Sequence, residues 1–352
     1  MKFTKAKQIC LSIILIMVFV LVSVASASAN SELQALYTAA KAEGEMVWQY
    51  FSSAKSVKPV VKAFQARYPG IKVEVVSIGS SSIGTRIITE SSAGKLTMDV
   101  ATCGSVYLAS ILERNLLEKH DWAKIVPDLD PSKVLYDGRY IYFGDSGKAW
   151  AYNTTLVSKS EMPRSIEDTL DPKWGDGRIS LRAAKSGFIY LWPVWKKDPQ
   201  KVKDYIKKFV KQQVLPEKRT SVVTNRVVTG ECLLGIGNIS DIPAARKKGA
   251  PIAFCPITPA AGYPSGVFIP KGGVKHPNAA KLFIAWVASK EGLAEFEKIG
   301  RGTYHPPESS MSAKALADAG IDFVRVTTLE DIKEYNGPFT KTVMQGMDLM
   351  PK

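Results

Sequence analysis

The chain has 352 residues, 45% of them hydrophobic and 23% charged, with a formal net charge of +14. This composition excludes a disordered chain, and the length exceeds one comfortable core, so two domains are expected. No zinc-finger or RNA-binding signature accompanies the positive charge, so nucleic acid is not an expected partner.

Residues 1–29 read as a cleavable signal. Lys2, Lys5 and Lys7 precede an apolar core from Ile9 to Val24. Ala27-Ser28-Ala29 is a small-residue cleavage site before Asn30, with Ala25-Ser26-Ala27 as the alternative. The apolar run is short for a membrane span, which needs about 20 residues. Cys10 precedes the apolar core, where it is misplaced for a lipoprotein site. An exported, soluble mature chain is expected, and loss of the three lysines lowers its charge from +14 to +11. Much of the excess sits in local runs. In Lys201–Lys211 the residues Val202, Tyr205, Ile206, Phe209 and Val210 fall at helical spacing, which puts the lysines on the outer face. Cys103, Cys232 and Cys255 remain after cleavage, and buried free thiols are expected. The three histidines are far apart, and no CxxC, HExxH or Cys/His cluster occurs, so neither a metal nor another cofactor is expected.

The mature chain opens with an amphipathic helix from Glu32 to Glu43, a strand from Met46 to Phe51, and a helix from Ser53 to Tyr68. Ile71 to Ile78 alternates as a strand does. Then comes SIGSSSIGTRIITESSAGKLTMD, Ser77 to Asp99. Gly79 frees the backbone for a turn, Ser80, Ser81 and Ser82 offer an N-cap, Ile83, Ile87 and Ile88 form an apolar face, and Gly94 stops the helix. Arg86 and Glu90 stand one turn apart and should pair. Met98 to Thr102 is a third strand and Val106 to Asn115 a further helix. This alternation implies a largely parallel sheet, whose ligands bind beyond the carboxyl ends of the strands. Three loops rich in small and hydroxyl residues share that edge: Phe51–Ala54, Gly79–Ser82 and Thr102–Ser105.

Pro127 to Asp145 looks irregular, with Asp137-Gly138 as a turn, and Lys148 to Asn153 reads as a strand. A second α/β region follows, with strands at Arg178–Leu181, Cys232–Ile236, Ile252–Pro256 and Gly266–Pro270. Its helices are an aromatic one opened by Ser186-Gly187, the lysine-rich one, Ser221–Thr229 and Ser240–Lys248. Pro259 to Pro264 reads as a crossing between domains, and the last 50 or so residues look mostly helical.

Six pieces carry a resemblance: Ala63–Val75 (AFQARYPGIKVEV), Gly79–Val100, Tyr152–Leu156 (YNTTL), Pro163–Leu181, Val227–Asn238 (VVTGECLLGIGN) and His276–Gly292. In this order and spacing the chain resembles the extracellular solute-binding proteins of ABC importers, in the group of ferric-iron binders and their non-iron relatives. The resemblance implies the type II periplasmic-binding-protein fold, α/β with two lobes, mostly parallel sheets and a hinge. The lobes would be residues 30–148, then 149–264, with 265–352 returning to the first lobe and adding the C-terminal helices. It implies capture of a small ligand by closure, delivery to an ABC permease with its ATPase, and a monomer at the periplasmic or extracellular face.

Iron binders of this group carry adjacent tyrosines just after the strand that matches Leu233–Gly237. Here the residues are Asn238, Ile239, Ser240 and Asp241, so the iron assignment does not carry over. Ferric binding at a non-standard site stays as an alternative, as does an exported enzyme or a ligand-presenting sensor on the same fold. No G-x-S-x-G elbow or Ser/His/Asp arrangement supports an enzyme. Matched to the family's cleft positions, the ligand-binding candidates are Ser52, Ser53, Ser80, Ser81 and Cys103, then Tyr152, and then Arg182, Ser186, Gly187, Asn238, Ser240 and Tyr263. Hydroxyls, helix N-termini and Arg182 favour an anionic or zwitterionic ligand such as a phosphonate, phosphate ester or carboxylate. Asp241 points the other way, unless it caps the helix that begins there.

Overall fold

The computed structural model describes residues 30–302 and 310–347; the signal segment and His305 lie outside them. Helix α1 (30–43) leads into β1 (Glu45–Tyr50), α2 (Lys58–Arg67), β2 (Lys72–Ser77), α3 (Ser80–Ser92), β3 (Val100–Gly104) and α4 (Ala109–Glu113). Next come β4 (Val134–Leu135), β5 (Tyr140–Asn153), β6 (Ile179–Arg182), α5 (Trp192–Trp195), α6 (Pro199–Val210), β7 (Leu215–Glu217), α7 (Thr220–Thr229), β8 (Leu234–Asn238), α8 (Asp241–Lys247), β9 (Ile252–Phe254) and β10 (Ala260–Phe268). The chain continues through α9 (Pro277–Ala288), α10 (Lys290–Lys298), α11 (Met311–Asp318), β11 (Phe323–Arg325), α12 (Leu329–Glu334) and α13 (Thr340–Met347).

This α/β chain forms two compact units. The first comprises the described residues up to Thr102, Asn115–Tyr142 and Val267–Glu295. The second comprises Cys103–Arg114, Phe143–Gly266 and the described residues from Phe296 onward, so the C-terminal helices belong to it.

In the first unit β1 lies between β2 and β3, parallel to both. Apolar side chains of β1 and α2 meet α9, which is buried almost throughout. Trp48, Phe64 and Phe283 are fully buried, and the Phe283 ring centroid lies 4.9 Å from that of Trp48 and 5.1 Å from that of Phe64. Each such side chain is worth about 1.5–3 kcal/mol by burial. The α9 N-terminus is closed by acids. Asp99 accepts from the backbone of Lys275 and His276, and Glu43 from that of Asn278 and Ala279.

The edge beyond the strand ends is stitched by Gln49, which is fully buried. Its Nε2 donates to the Ile78 carbonyl at 2.5 Å, and its Oε1 accepts from the Thr102 amide at 3.0 Å. The Ala54 amide donates to Ser77 Oγ at 3.1 Å. The loops after β1 and β2 are thus neighbours, as the strand pattern requires.

In the second unit β8 runs between β5, which is antiparallel to it, and β6, which is parallel. β7 extends β6, β9 pairs with β5, and β11 pairs with β10. Aromatic residues of β5 and the 185–195 segment pack on α6, whose buried face is Val202, Tyr205, Ile206 and Phe209.

Three local expectations need correction. Gly79 is itself the N-cap of α3, so Ser80–Ser82 form the first turn and no side chain caps it. The stretch before Lys148 is not irregular throughout. Tyr136, Asp137 and Gly138 take positive φ and turn β4 into β5, which starts at Tyr140. β10 runs through Pro264, so the supposed crossing and the following strand are one element. The Arg86–Glu90 pair forms at 2.6 Å, and Cys103, Cys232 and Cys255 are buried free thiols.

Gln49→Leu should destabilise the protein by about 2–4 kcal/mol, because it strands a buried amide and a carbonyl. Chemical denaturation of the two proteins measures it.

Candidate functional site

The second unit gathers charged and phenolic side chains at one place, starting from the register of β5 on β8. Lys148 lies opposite Asn238 in that ladder. Its Nζ donates to Asn238 Oδ1. Asn238 Nδ2 donates in turn to Asp241 Oδ2 at 2.6 Å, and Ser240 Oγ donates to Asp241 Oδ1 at 3.3 Å. This chain of hydrogen bonds fixes the amide orientation of Asn238 and uses both oxygens of the only carboxylate within it.

Arg182 ends β6. A tight turn follows, with the Ala184 amide on the Arg182 carbonyl and the Gly187 amide on the Ala184 carbonyl, both at 2.8 Å. A Cβ on Gly187 would lie 2.2 Å from the Arg182 carbonyl oxygen, so only glycine fits. The turn brings Ser186 Oγ within 3.3 Å of the Arg182 guanidinium, which donates to it. Burial of the Lys148 ammonium, together with the charges of Arg182 and Arg301, lowers its pKa to about 7 against the opposing pull of Asp241.

Beside these cations stand three tyrosines. Tyr263 packs against Gly104, where a Cβ would come within 2.3 Å of its ring. Its ring meets that of Tyr107 edge-on at 6.2 Å. Burial pushes the phenol of Tyr263 well above its ordinary range, with the Arg182 charge opposing. Tyr335 is 1% exposed, and burial raises its pKa too. Lys185 Nζ lies 5.9 Å from the Tyr107 ring centroid and 5.4 Å from that of Tyr335, and donates to Asn336 Oδ1 at 2.8 Å.

Of the residues expected from sequence, Arg182, Ser186, Gly187, Asn238, Ser240 and Tyr263 contribute to this arrangement. Cys103 belongs to the same unit but is fully buried, and burial holds its thiol neutral. Tyr152 is four residues beyond Lys148 on β5, about 13 Å along the strand. It lines an open groove of about 860 Å³ with Arg246 and Phe254, to which none of the other candidates contributes. Ser52 and Ser53 precede the turn before α2, and Ser80 and Ser81 open α3, all in the first unit.

Sequence reasoning missed Lys148, Lys185, Arg301 and Tyr335 as site residues. Lys148 had a signal: it shares a strand face with Trp150 and Tyr152, where a lysine is out of place. Among the described residues no group of three His, Cys, Asp or Glu side chains could hold a metal ion.

The model of a family described as bacterial extracellular solute-binding protein matches residues 60–321. Solved structures share the fold. Iron-bound HitA from Pseudomonas aeruginosa is 20% identical, with a TM-score of 0.69, over 86% of this chain and 99% of that one. The periplasmic binding protein AfuA from Actinobacillus pleuropneumoniae, with fructose-6-phosphate bound, is 20% identical, with a TM-score of 0.65, over 87% and 98%. The substrate-binding protein of an ABC transporter from Agrobacterium tumefaciens is 16% identical, with a TM-score of 0.71, over 87% and 94%.

The lowered pKa of Lys148 carries a stability signature. The unfolded lysine titrates near 10.5 and the folded one near 7, so the folded state binds fewer protons between those values. Its destabilisation is complete below about pH 7 and is lost as pH rises toward 10.5. Lys148→Met should therefore be more stable than the parent at pH 6, with the gap closing by pH 10; urea titrations at both pH values test this.

Proposed function

We propose a ligand class from one premise: this chain belongs to the family of bacterial extracellular solute-binding proteins. Its solute is a small anion, held in the second unit by Lys148 and Arg182. The observation that carries this reading is the charge imbalance. The Lys148 ammonium feels the Arg182 charge as well as Asp241, and the oxygens of Asp241 already accept from Asn238 and Ser240. An anion there would offset the burial cost and the Arg182 repulsion that together lower the Lys148 pKa. Guanidinium suits a phosphate, phosphonate or carboxylate, which it can bind through two parallel hydrogen bonds.

The structures of relatives bound to iron and to fructose-6-phosphate frame the choice. Positive charge in excess opposes a ferric ion, and Asn238, Ser240 and Asp241 occupy the place where a tyrosine pair would be expected. A phosphorylated or carboxylated solute matches the charge and donors of Lys148, Arg182 and Ser186. The reading further assigns the chain a cleaved signal, a monomeric mature form outside the cytoplasmic membrane, and delivery of the solute to an ABC permease. It assigns no chemical step.

Isothermal titration with inorganic phosphate, glycerol 3-phosphate, fructose 6-phosphate, citrate and a ferric chelate tests the reading. At least one anion should bind, and Arg182→Ala should weaken it by tenfold or more. Because the bound anion favours charged Lys148, affinity should fall between pH 7 and 9, by up to about tenfold per pH unit for one linked proton. Binding of the ferric chelate alone would contradict the proposal.

A further inference from the structure

Between α12 and α13 the helix widens into a π-helical turn, Tyr335–Phe339. Such turns inside α-helices concentrate at functional sites. Pro338 lies within this one and lacks the amide that an α register would use. The turn places two side chains among the cations. Asn336 accepts from Lys185 and donates to the Val106 carbonyl at 2.5 Å, so it ties the turn to the segment that carries Tyr107. Tyr335 stacks on Phe339 at 5.8 Å and lies within electrostatic reach of Arg182 and Tyr107.

The Tyr335 hydroxyl is buried and has no hydrogen-bond partner. An unmade buried hydrogen bond is costly, so a retained hydroxyl needs a reason. Trp150 and Trp286 also leave an indole N–H unpartnered, but among aromatic core residues. Tyr335 alone of these three stands beside Arg182 and Lys185.

We propose that Tyr335 is a ligand-contact residue whose hydroxyl donates to a second oxygen of the bound anion, away from its charged group. This rests on the anion reading of the same site and narrows it. The solute is an anion with a further acceptor, such as a hydroxy acid or a phosphorylated polyol, and not a bare oxyanion. The π turn is the device that presents the donor.

Tyr335→Phe removes only the hydroxyl. Its unliganded melting temperature should equal or exceed that of the parent, because the lost group had no partner. Titration with glycerol 3-phosphate and citrate should show about tenfold weaker binding of whichever the parent binds, the usual scale of one lost hydrogen bond. The loss on inorganic phosphate should be smaller. Equal affinities in the two proteins, equal losses on all three ligands, binding of inorganic phosphate alone by the parent, or a melting temperature lowered by several degrees would each overturn the inference while leaving the anion reading standing. If the parent binds none of the anions, both fall.

Discussion

The half-buried Lys148 ammonium, with the charge of Arg182 acting on it, is the constraint around which the proposed site in the second unit is arranged. Burial alone disfavours the charged form of a lysine, and like charges add to the penalty. Lys148 has one compensating route, through Asn238 to Asp241. That route is a relay and not a direct ion pair, so it does not restore the ordinary pKa. By contrast, Arg325 and Asp145 form a two-pronged salt bridge in the same unit, at 2.7 and 2.9 Å. The unit can therefore pair its buried charges, and at Lys148 it does so incompletely.

The same contrast separates scaffold from site. In the first unit buried polar groups are spent on backbone. Gln49 holds two strand ends, Asp99 holds β1 and the start of α9, and Glu43 holds the next two amides of that helix. Satisfied networks of this kind rigidify. In the second unit the close packing of Gly104 on Tyr263 and of Gly187 on the Arg182 carbonyl fixes where side chains stand. The polar groups themselves are left in partial deficit: a lysine whose charge burial disfavours and a phenol with no hydrogen-bond partner. Local rules broken against a background that keeps them occur at functional or strained sites, and the anion proposal takes this one as functional.

Much of this was legible in the chain. Periodicity and turn residues located β1, α2, β2 and α3, and the i, i+4 spacing of Arg86 and Glu90 predicted their pair. Asn238, Ser240 and Arg182 were named from the family's cleft positions, and in the structure Asn238 and Arg182 end β8 and β6 while Ser240 precedes α8. What escaped has a common cause. Ser80 looked like a cap because propensity cannot tell Gly79 from the serine after it. β5 begins eight residues before Lys148, but its first half follows a positive-φ turn that broke the pattern. Tyr335 is distant in sequence from Arg182 and Lys185, and no local pattern records that folding would bring their charges and its ring together. Tyr152 had a favourable place in the sequence, yet it lies too far along β5 to join them.

The most direct test of anion capture is to purify the protein from its own cells without chelators and to identify what it carries by native mass spectrometry. The account predicts a small organic anion with a phosphate, phosphonate or carboxylate group and at least one further oxygen, released when Arg182 is replaced by alanine. A ferric ion or a cationic amine in the wild-type protein would contradict it.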